Sequence, residues 1–89
     1  MIINNGIKQR ILIVEDDDII AELIEQIIEE LGFNTVLVST GHAAISWLKD
    51  NNPELMILDY SLPDMNAAIL TSLLSREKPI PPFIVSTGM

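Results

Sequence analysis

Cysteine is absent from this sequence of 89 residues, and basic and aromatic residues are scarce. Without cysteine, the chain has neither a disulfide scaffold nor thiol chemistry, and a reducing cytosol is its natural setting. No apolar run approaches the length that spans a membrane. We therefore expect a cytoplasmic protein that does not enter membranes.

Acidic residues outnumber basic ones by 13 to 5, which gives a formal net charge of -8. Such a balance repels phosphate backbones, so we expect no direct binding of nucleic acid by this chain. Apolar residues make up 48% of the sequence, which is enough for a hydrophobic core and argues against disorder. The length allows one small domain.

Short β-rich runs alternate with longer helical patterns. Residues 11–14 form a continuous β-branched run, as expected of a strand buried on both faces. From 18 to 31 the apolar residues recur at helical spacing, and Gly32 follows as a C-terminal cap. The other predicted elements are strands at 35–38, 55–58 and 83–86, a helix capped by Ser39 or Thr40 that ends before Pro53, and a helix over 67–76 with Ile69, Leu70, Leu73 and Leu74 facing inward.

Strict alternation of strands and helices predicts a parallel sheet with helices on both faces, joined by right-handed crossovers. In such sheets, ligands bind outside the carboxyl ends of the strands, at the point where the strand order reverses. Three segments follow those ends here, at residues 15–17, 59–61 and 86–88. Any chemistry of the protein is expected in these segments.

Glu15, Asp16 and Asp17 directly follow the first strand, and Asp59 directly follows the third. The first run alone is typical of a helix start, where carboxylates accept backbone N–H bonds. With strands one and three adjacent, however, Asp59 would lie beside Glu15 and Asp16. Two unit charges about 4 Å apart repel by about 4 kcal/mol at an effective dielectric constant of about 20, so such a cluster favours a bound cation. Oxygen ligands with room for water favour Mg²⁺.

Thr87 ends the fourth predicted strand, and Gly88 follows it. Taken alone, Thr87 is an ordinary surface hydroxyl. Placed beside a metal ion and a carboxylate, the same hydroxyl could donate a hydrogen bond to a phosphoryl oxygen. Because Gly88 has no side chain, the backbone there could approach a bound group closely.

Three motifs carry a resemblance to a known family: ILIVEDD at 11–17, LMILDYSLPDM at 55–65 and FIVSTG at 83–88. In this order, and at matching strand ends, they resemble the receiver domain of response regulators in two-component signalling. The resemblance implies a flavodoxin-like, doubly wound parallel sheet with strand order 2-1-3-4. It divides the chain into an N-terminal leader, residues 1–9, and a partial receiver domain, residues 10–89.

The resemblance also implies a role for each residue that matches the family's motifs. Asp59 matches the phosphoryl acceptor, and Thr87 matches the switch hydroxyl. Asp16, Asp59 and the backbone carbonyl of Ser61 match the Mg²⁺ ligands, with Glu15 acting through water. The implied partner is a sensor histidine kinase or a histidine phosphotransfer protein. The implied function is that of a signalling module, not of an enzyme that turns over an external substrate.

The sequence departs from the family pattern in two places. Ala67 stands where the family usually has glycine, although Asn66 can still make the turn. The family's later elements, including a strand that ends in Lys-Pro, do not follow the fourth predicted strand, and Lys78-Pro79 falls at the opposite end of the sheet from the site. We therefore expect a domain shortened at its C-terminal end, marginally stable or self-associating through the edge of strand four.

Other functions fit parts of the pattern. A haloacid-dehalogenase-type phosphatase would need a second aspartate at the position of Ser61. A flavodoxin-like FMN protein would place hydroxyls and glycine after the first strand, where this chain is acidic. The alternative that stays open is a docking module on the receiver scaffold that works without phosphorylation. His42 is interpreted as a surface residue near a helix start.

Overall fold

The computed structural model of the protein describes residues 9–76 and 78–87. The predicted leader, apart from Gln9, lies outside the described residues, as do Gly88 and Met89. None of the helices in the described ranges is long and apolar enough to cross a bilayer. The elements alternate as predicted, with ends that differ by one or two residues: β1 (Arg10–Val14), α1 (Asp18–Glu30), β2 (Asn34–Val38), α2 (Gly41–Leu48), β3 (Leu55–Asp59), α3 (Ala67–Leu74) and β4 (Phe83–Ser86).

The strands form one parallel sheet in the order β2-β1-β3-β4. This confirms the predicted strand order. Val14 is paired with Leu58 of β3, and Asp59 is paired with Ser86 of β4. Since the chain passes from β1 outward to β2 and then returns to β3, the strand order reverses between β1 and β3. The carboxyl ends of β1, β3 and β4 therefore lie side by side.

The hydrophobic core lies between the sheet and the helices α2 and α3. Leu12 and Met56 are fully buried on this face, and alternate side chains of the same strands continue it. Leu70 of α3 belongs to this core and is also fully buried. Ile69, predicted to face inward, is 48% exposed, so that prediction was wrong. Ala67 and Leu70 occupy the inward side of the first turn of α3 instead.

Helix α1 covers the opposite face of the sheet on the β1–β2 side. The hydroxyl oxygen of Thr35 on β2 lies 3.2 Å from Glu25 Oε2 and 2.9 Å from Glu29 Oε2, and its single hydrogen is shared between these two acceptors. This contact connects α1 to β2. On the other flank of the helix, the side chains of Leu23 and Ile27 remain 57% and 51% exposed. The predicted apolar stripe is thus present but only partly covered.

Both ends of α1 are capped as the sequence predicted. Asp17 Oδ1 accepts the first free backbone N–H groups of the helix at 3.0 and 3.1 Å. At the other end, Gly32 has a φ of 100°, and its N–H donates to the carbonyl of Glu29. The N–H of Phe33 donates to the carbonyl of Ile28. This pair of bonds is a Schellman motif, in which glycine adopts the left-handed conformation without strain.

The amino end of β1 is joined to the end of α2 by a second group of contacts. The guanidinium of Arg10 lies 5.1 Å from the ring centroid of Trp47, and its Nη1 donates to Asn51 Oδ1 at 3.2 Å. The amide of Asn51 donates in turn to the carbonyl of Trp47 at 2.9 Å. These contacts lie at the end of the sheet opposite the carboxyl ends of the strands.

Candidate functional site

The carboxyl ends of β1 and β3 position three carboxylates. Glu15 directly follows β1, and its N–H donates to the carbonyl of Val38 at 3.0 Å, which continues the pairing with β2. Asp59 is the last residue of β3 and not the first residue after it. One oxygen each from Glu15, Asp16 and Asp59 lies within 4.8 Å of the others. The structure therefore brings together the three acids whose convergence was predicted.

These acids open onto a solvent-exposed cleft of about 420 Å³. All five residues that the sequence singled out for the site line this cleft, together with three neighbours. None of the described residues that line the cleft is basic. The lining consists of Glu15, Asp16, Asp17, Ile20, Asp59, Ser61, Ser86 and Thr87. The cleft has room for a hydrated cation.

Of the charged residues that the structure describes, Glu15 is the buried one, with 7% of its surface exposed. Asp16 is exposed and Asp59 is half-buried. Burial raises the pKa of the Glu15 carboxyl above its usual value, and the negative charges of Asp59 and Asp16 raise it further. The backbone N–H of Asp17, which donates to Glu15 Oε2 at 3.2 Å, acts in the opposite direction. The three carboxylates thus repel one another, and a cation between them would relieve that repulsion.

Ser61 is held beside Asp59 by the loop between β3 and α3. Its N–H faces Asp59 Oδ1 at 3.4 Å. Ser61 also pairs with Asn66 in an isolated antiparallel bridge. The two backbone hydrogen bonds of that bridge, at 2.8 and 3.1 Å, are made by the neighbours of Ser61 and Asn66 in the chain and not by these two residues themselves. In such a pair, each residue points its own N–H and C=O away from its partner. The Ser61 carbonyl is therefore left free by the bridge and lies on the same side as the N–H that faces Asp59.

Thr87 is placed at the cleft by the pairing of β3 with β4. Asp59 is paired with Ser86, and the N–H of Tyr60 donates to the carbonyl of Ser86 at 2.8 Å. Thr87 follows Ser86 directly and is exposed at the rim of the cleft. Gly88, predicted to follow Thr87 closely at the site, lies outside the described residues.

Lys78 lies away from this cleft. Its Nζ donates to the carbonyl of Leu48 at 2.6 Å, at the C-terminal end of α2. Because α2 runs back across the sheet after β2, that end lies beside the amino ends of the strands. The side chain of Lys78 caps a helix there, where a cation interacts favourably with the helix dipole. The structure supports the interpretation that Lys78 is not part of the site.

One contact near the site was not predicted. The carboxylate of Asp64, in the loop between β3 and α3, accepts the backbone N–H groups of Gly41 at 2.8 Å and His42 at 2.9 Å. These two bonds lower the pKa of Asp64 from 3.8 to about 2, and the contact with the His42 ring acts in the same direction. An aspartate after a proline in a loop is a signal for a capping residue, but nothing in the sequence identifies the helix that it caps.

Comparison with known proteins identifies the family to which this chain belongs. Residues 11–89 match the family described as response regulator receiver domain. The chain belongs to this family. Receiver domains are signalling modules of two-component systems and do not turn over external substrates.

Two curated proteins illustrate the similarity to complete response regulators. The DNA-binding response regulator MtrA of Mycolicibacterium smegmatis is 32% identical over 74 residues, which cover 83% of this chain and 32% of MtrA. The regulator of RpoS of Escherichia coli is 33% identical over 81 residues, which cover 90% of this chain and 24% of that protein. This receiver domain thus spans about a third or less of the length of these relatives.

Solved receiver domains have the same fold. The CheY-like receiver domain of a response regulator from Methylobacillus flagellatus superposes with a TM-score of 0.80 at 29% identity, covering 89% of this chain and 69% of that one. A response regulator from Chloroflexus aurantiacus gives a TM-score of 0.81 at 27% identity, covering 89% of this chain and 66% of that one. The predicted fold class is confirmed.

Proposed function

We propose that this receiver domain accepts a phosphoryl group on Asp59, in a Mg²⁺-dependent step of a two-component phosphorelay. The convergence of Glu15, Asp16 and Asp59 within 4.8 Å, in a cleft that also holds Ser61 and Thr87, supports this proposal most strongly. The donor in this proposal is a phosphohistidine on a sensor histidine kinase or a histidine phosphotransfer protein. The reaction takes place in the cytoplasm and requires no contact of this chain with nucleic acid or membrane.

The donor set fits a hard divalent cation. It consists of oxygen atoms alone, it carries an excess of negative charge, and it opens to solvent, so that a cation can keep part of its water shell. In the proposed arrangement, Asp16, Asp59 and the carbonyl of Ser61 hold Mg²⁺, and Glu15 contacts it through water. When bound, the cation would offset the charge of the carboxylates and of the incoming phosphoryl group.

Asp59 supplies the nucleophile. A carboxylate oxygen of Asp59 attacks the phosphorus in line, so that a new O–P bond forms while the P–N bond to the donor histidine breaks and its electron pair leaves with the imidazole. The product is an acyl phosphate. Attack of water on the phosphorus later releases inorganic phosphate and restores the Asp59 carboxylate, which ends the signal.

In this proposal, Thr87 makes the surface at the end of β4 respond to phosphorylation of Asp59. Its hydroxyl, at the rim of the cleft, donates to a phosphoryl oxygen and moves inward. Because Thr87 directly follows β4, this movement displaces the segment at the end of that strand. A partner that reads this surface can then distinguish the phosphorylated from the unphosphorylated form.

Intact-mass spectrometry tests the proposal. The folded chain is incubated with a small-molecule phosphodonor in the presence of Mg²⁺, and again with Mg²⁺ chelated. The expected result is a mass increase of one phosphoryl group that requires Mg²⁺. Asp59→Asn should abolish it, whereas Asp50→Asn, which changes an exposed aspartate after the end of α2, should not.

The same experiment separates the acceptor from a docking module that works without phosphorylation. A folded sample that gains no mass with Mg²⁺ and donor would contradict the acceptor function and favour the docking module. A mass increase that persists in Asp59→Asn would place the modification on another residue.

A further inference from the structure

We propose that Asp64 is a positioning residue for the acidic site. It fastens the β3–α3 loop, residues 60–66, to the first turn of α2, and thereby holds the carbonyl of Ser61 on the side that faces Asp59. This inference rests on the proposed function, in which that carbonyl is a Mg²⁺ ligand. Asp64 itself does not touch the reacting groups.

Asp64 uses both carboxylate oxygens in this contact. Oδ1 accepts the N–H of Gly41 at 2.8 Å, and Oδ2 accepts the N–H of His42 at 2.9 Å and lies 2.5 Å from Nδ1 of its ring. The two N–H groups belong to the helix start, which has no internal partners for them. Bonds to an ionised acceptor are stronger than bonds between neutral groups. The side chain of Asp64 is therefore held in one orientation.

Met65 makes a second contact with the same turn. A Cβ atom added at Gly41 would lie 2.5 Å from Sδ and 2.6 Å from Cγ of Met65, which is too close for any side chain at position 41 unless Met65 moves. The absence of a side chain at Gly41 thus allows Met65 to pack there. Two consecutive loop residues contact one helical turn, so the loop is fixed at this point in more than one direction.

The attachment of Asp64 to α2 also restrains Ser61, because a short closed turn connects the two residues. The N–H of Leu62 donates to the carbonyl of Met65 at 3.1 Å, with Asp64 at the tip of the turn. Ser61 pairs with Asn66 at its base, and Leu62 is buried in the core. Because the turn is closed by these bonds, its tip and the Ser61 peptide move together. Releasing the tip therefore loosens the carbonyl that faces the acids.

Asp64 also contributes to the stability of α2, and the test must separate that effect from positioning. Thr40 offers a matched control, since its hydroxyl oxygen accepts the N–H of Ala43 at 3.0 Å in the same turn. Both Asp64→Ala and Thr40→Ala remove a cap of α2, but Asp64→Ala alone removes a contact with the loop. Asp64→Asn keeps one of the two acceptor oxygens and replaces the other with an NH2 group, which cannot accept an N–H, so it removes part of the contact.

Two measurements on the whole chain test the proposal: amide hydrogen exchange of residues 61–66 without Mg²⁺, and calorimetric titration with Mg²⁺. In Asp64→Ala, exchange in the loop should accelerate and the Mg²⁺ affinity should fall about 10-fold, as is usual for loss of a group that orients a metal ligand. Thr40→Ala should leave both unchanged. Asp64→Asn, which keeps one of the two acceptors, should fall between the wild type and Asp64→Ala.

Gly41→Ala tests the attachment of the loop from the Met65 side and stays informative for an unfolded Asp64→Ala variant. Alanine favours helix, so the substitution leaves α2 intact while its methyl group displaces Met65 from the helix side. It changes no charge. The expected result is again faster exchange in the loop and weaker Mg²⁺ binding.

Each contrary outcome has a distinct meaning. Unchanged exchange and affinity in folded Asp64→Ala would overturn the positioning role and leave the proposed function intact. Equal losses in Thr40→Ala would reduce Asp64 to a helix cap and would likewise overturn the positioning role. A wild-type chain that binds no Mg²⁺ would overturn the proposed function, and this inference with it.

Discussion

Glu15 and Asp59 present carboxylate oxygens within 4.8 Å of each other because β1 and β3 are neighbours in the sheet. No described lysine, arginine or histidine lines the cleft that they share. Burial and the neighbouring negative charges raise the pKa of Glu15. The metal-free fold therefore contains an unfavourable electrostatic interaction at this edge.

Neutralising Glu15 should stabilise the metal-free protein at pH 7. An acid with a raised pKa binds its proton more tightly in the folded state, so its contribution to stability falls as the pH rises above 4.5, the usual value for this group. Glu15→Gln removes the charge and keeps an oxygen that can accept the N–H of Asp17. We expect the free energy of unfolding in urea at pH 7, with Mg²⁺ chelated, to rise.

The same substitution should reduce the stabilisation that Mg²⁺ provides. A ligand that binds the folded state raises the unfolding midpoint according to its affinity, so the wild type should gain more from Mg²⁺ than Glu15→Gln. Glu54→Gln, which changes an exposed glutamate before β3, is the matched control and should match the wild type in both conditions. A metal-free Glu15→Gln no more stable than the wild type would contradict this account of the cluster.

Thr87→Ala should separate phosphorylation from its structural consequence. The substitution removes the hydroxyl at the rim but leaves all three carboxylates, so the mass increase with phosphodonor and Mg²⁺ should persist. The amide chemical-shift changes that phosphorylation causes along β4 should shrink, and Thr87→Ser should restore them because serine keeps the donor. Undiminished shifts in Thr87→Ala would show that the hydroxyl does not transmit the signal.

Asp64→Asn should weaken the dependence of stability on acid pH. The pKa of Asp64 falls from 3.8 to about 2 on folding, because the N–H groups of Gly41 and His42 bind its ionised form. In that range the unfolded state holds more protons, so this contribution is complete above about pH 5 and is lost as the pH falls to about 2.

Urea unfolding at a series of pH values measures this effect. The difference in unfolding free energy between the wild type and Asp64→Asn should shrink as the pH falls. Thr40→Ala, which removes an uncharged cap of the same helix, should show a constant difference. A constant difference for Asp64→Asn as well would show that the bonds to α2 do not select the ionised form.

Ile84→Lys should reduce self-association of the chain. In the described part of the protein β4 pairs with one strand, β3, and Phe83 and Ile84 are 42% and 55% exposed. Such an apolar edge can pair with a second molecule, and a lysine there opposes pairing. Sedimentation velocity should show concentration-dependent association of the wild type and a monomeric Ile84→Lys.

Leu37→Lys places the same charge on β2, at the opposite edge of the sheet, and should leave the association unchanged. A wild-type chain that stays monomeric at all concentrations would contradict the prediction. Equal suppression by both variants would assign the effect to net charge instead of to the edge of β4.

The sequence was sufficient to predict the order of the elements because the signals are local. The apolar run of residues 11–14, the helical spacing from Asp18 and the glycine at position 32 each act within one element or its cap. The strand order and the candidate site needed more, namely three motifs in a fixed order. Once β1 and β3 were taken as neighbours, the proximity of Glu15 and Asp59 followed.

What the sequence did not predict depends on packing between distant segments. The partner of Asp64 is the start of a helix that precedes it in the chain, and no local pattern identifies that helix. The inward side of α3 was predicted too broadly at Ile69, since apolar spacing does not show how much of a stripe its neighbours cover. The contact of Thr35 with Glu25 and Glu29 of α1 likewise joins a strand to a helix that precedes it in the chain.

The stacking of Arg10 on Trp47 has a practical consequence for spectroscopy. Trp47 is the sole tryptophan, and it reports from the amino end of β1, whereas the acidic cleft lies beyond the carboxyl end of that strand. We therefore expect its emission to follow the loss of the folded state and to change little when ions or phosphate bind at the far edge of the sheet. Trp47, excited selectively, can therefore serve as an intrinsic probe of unfolding.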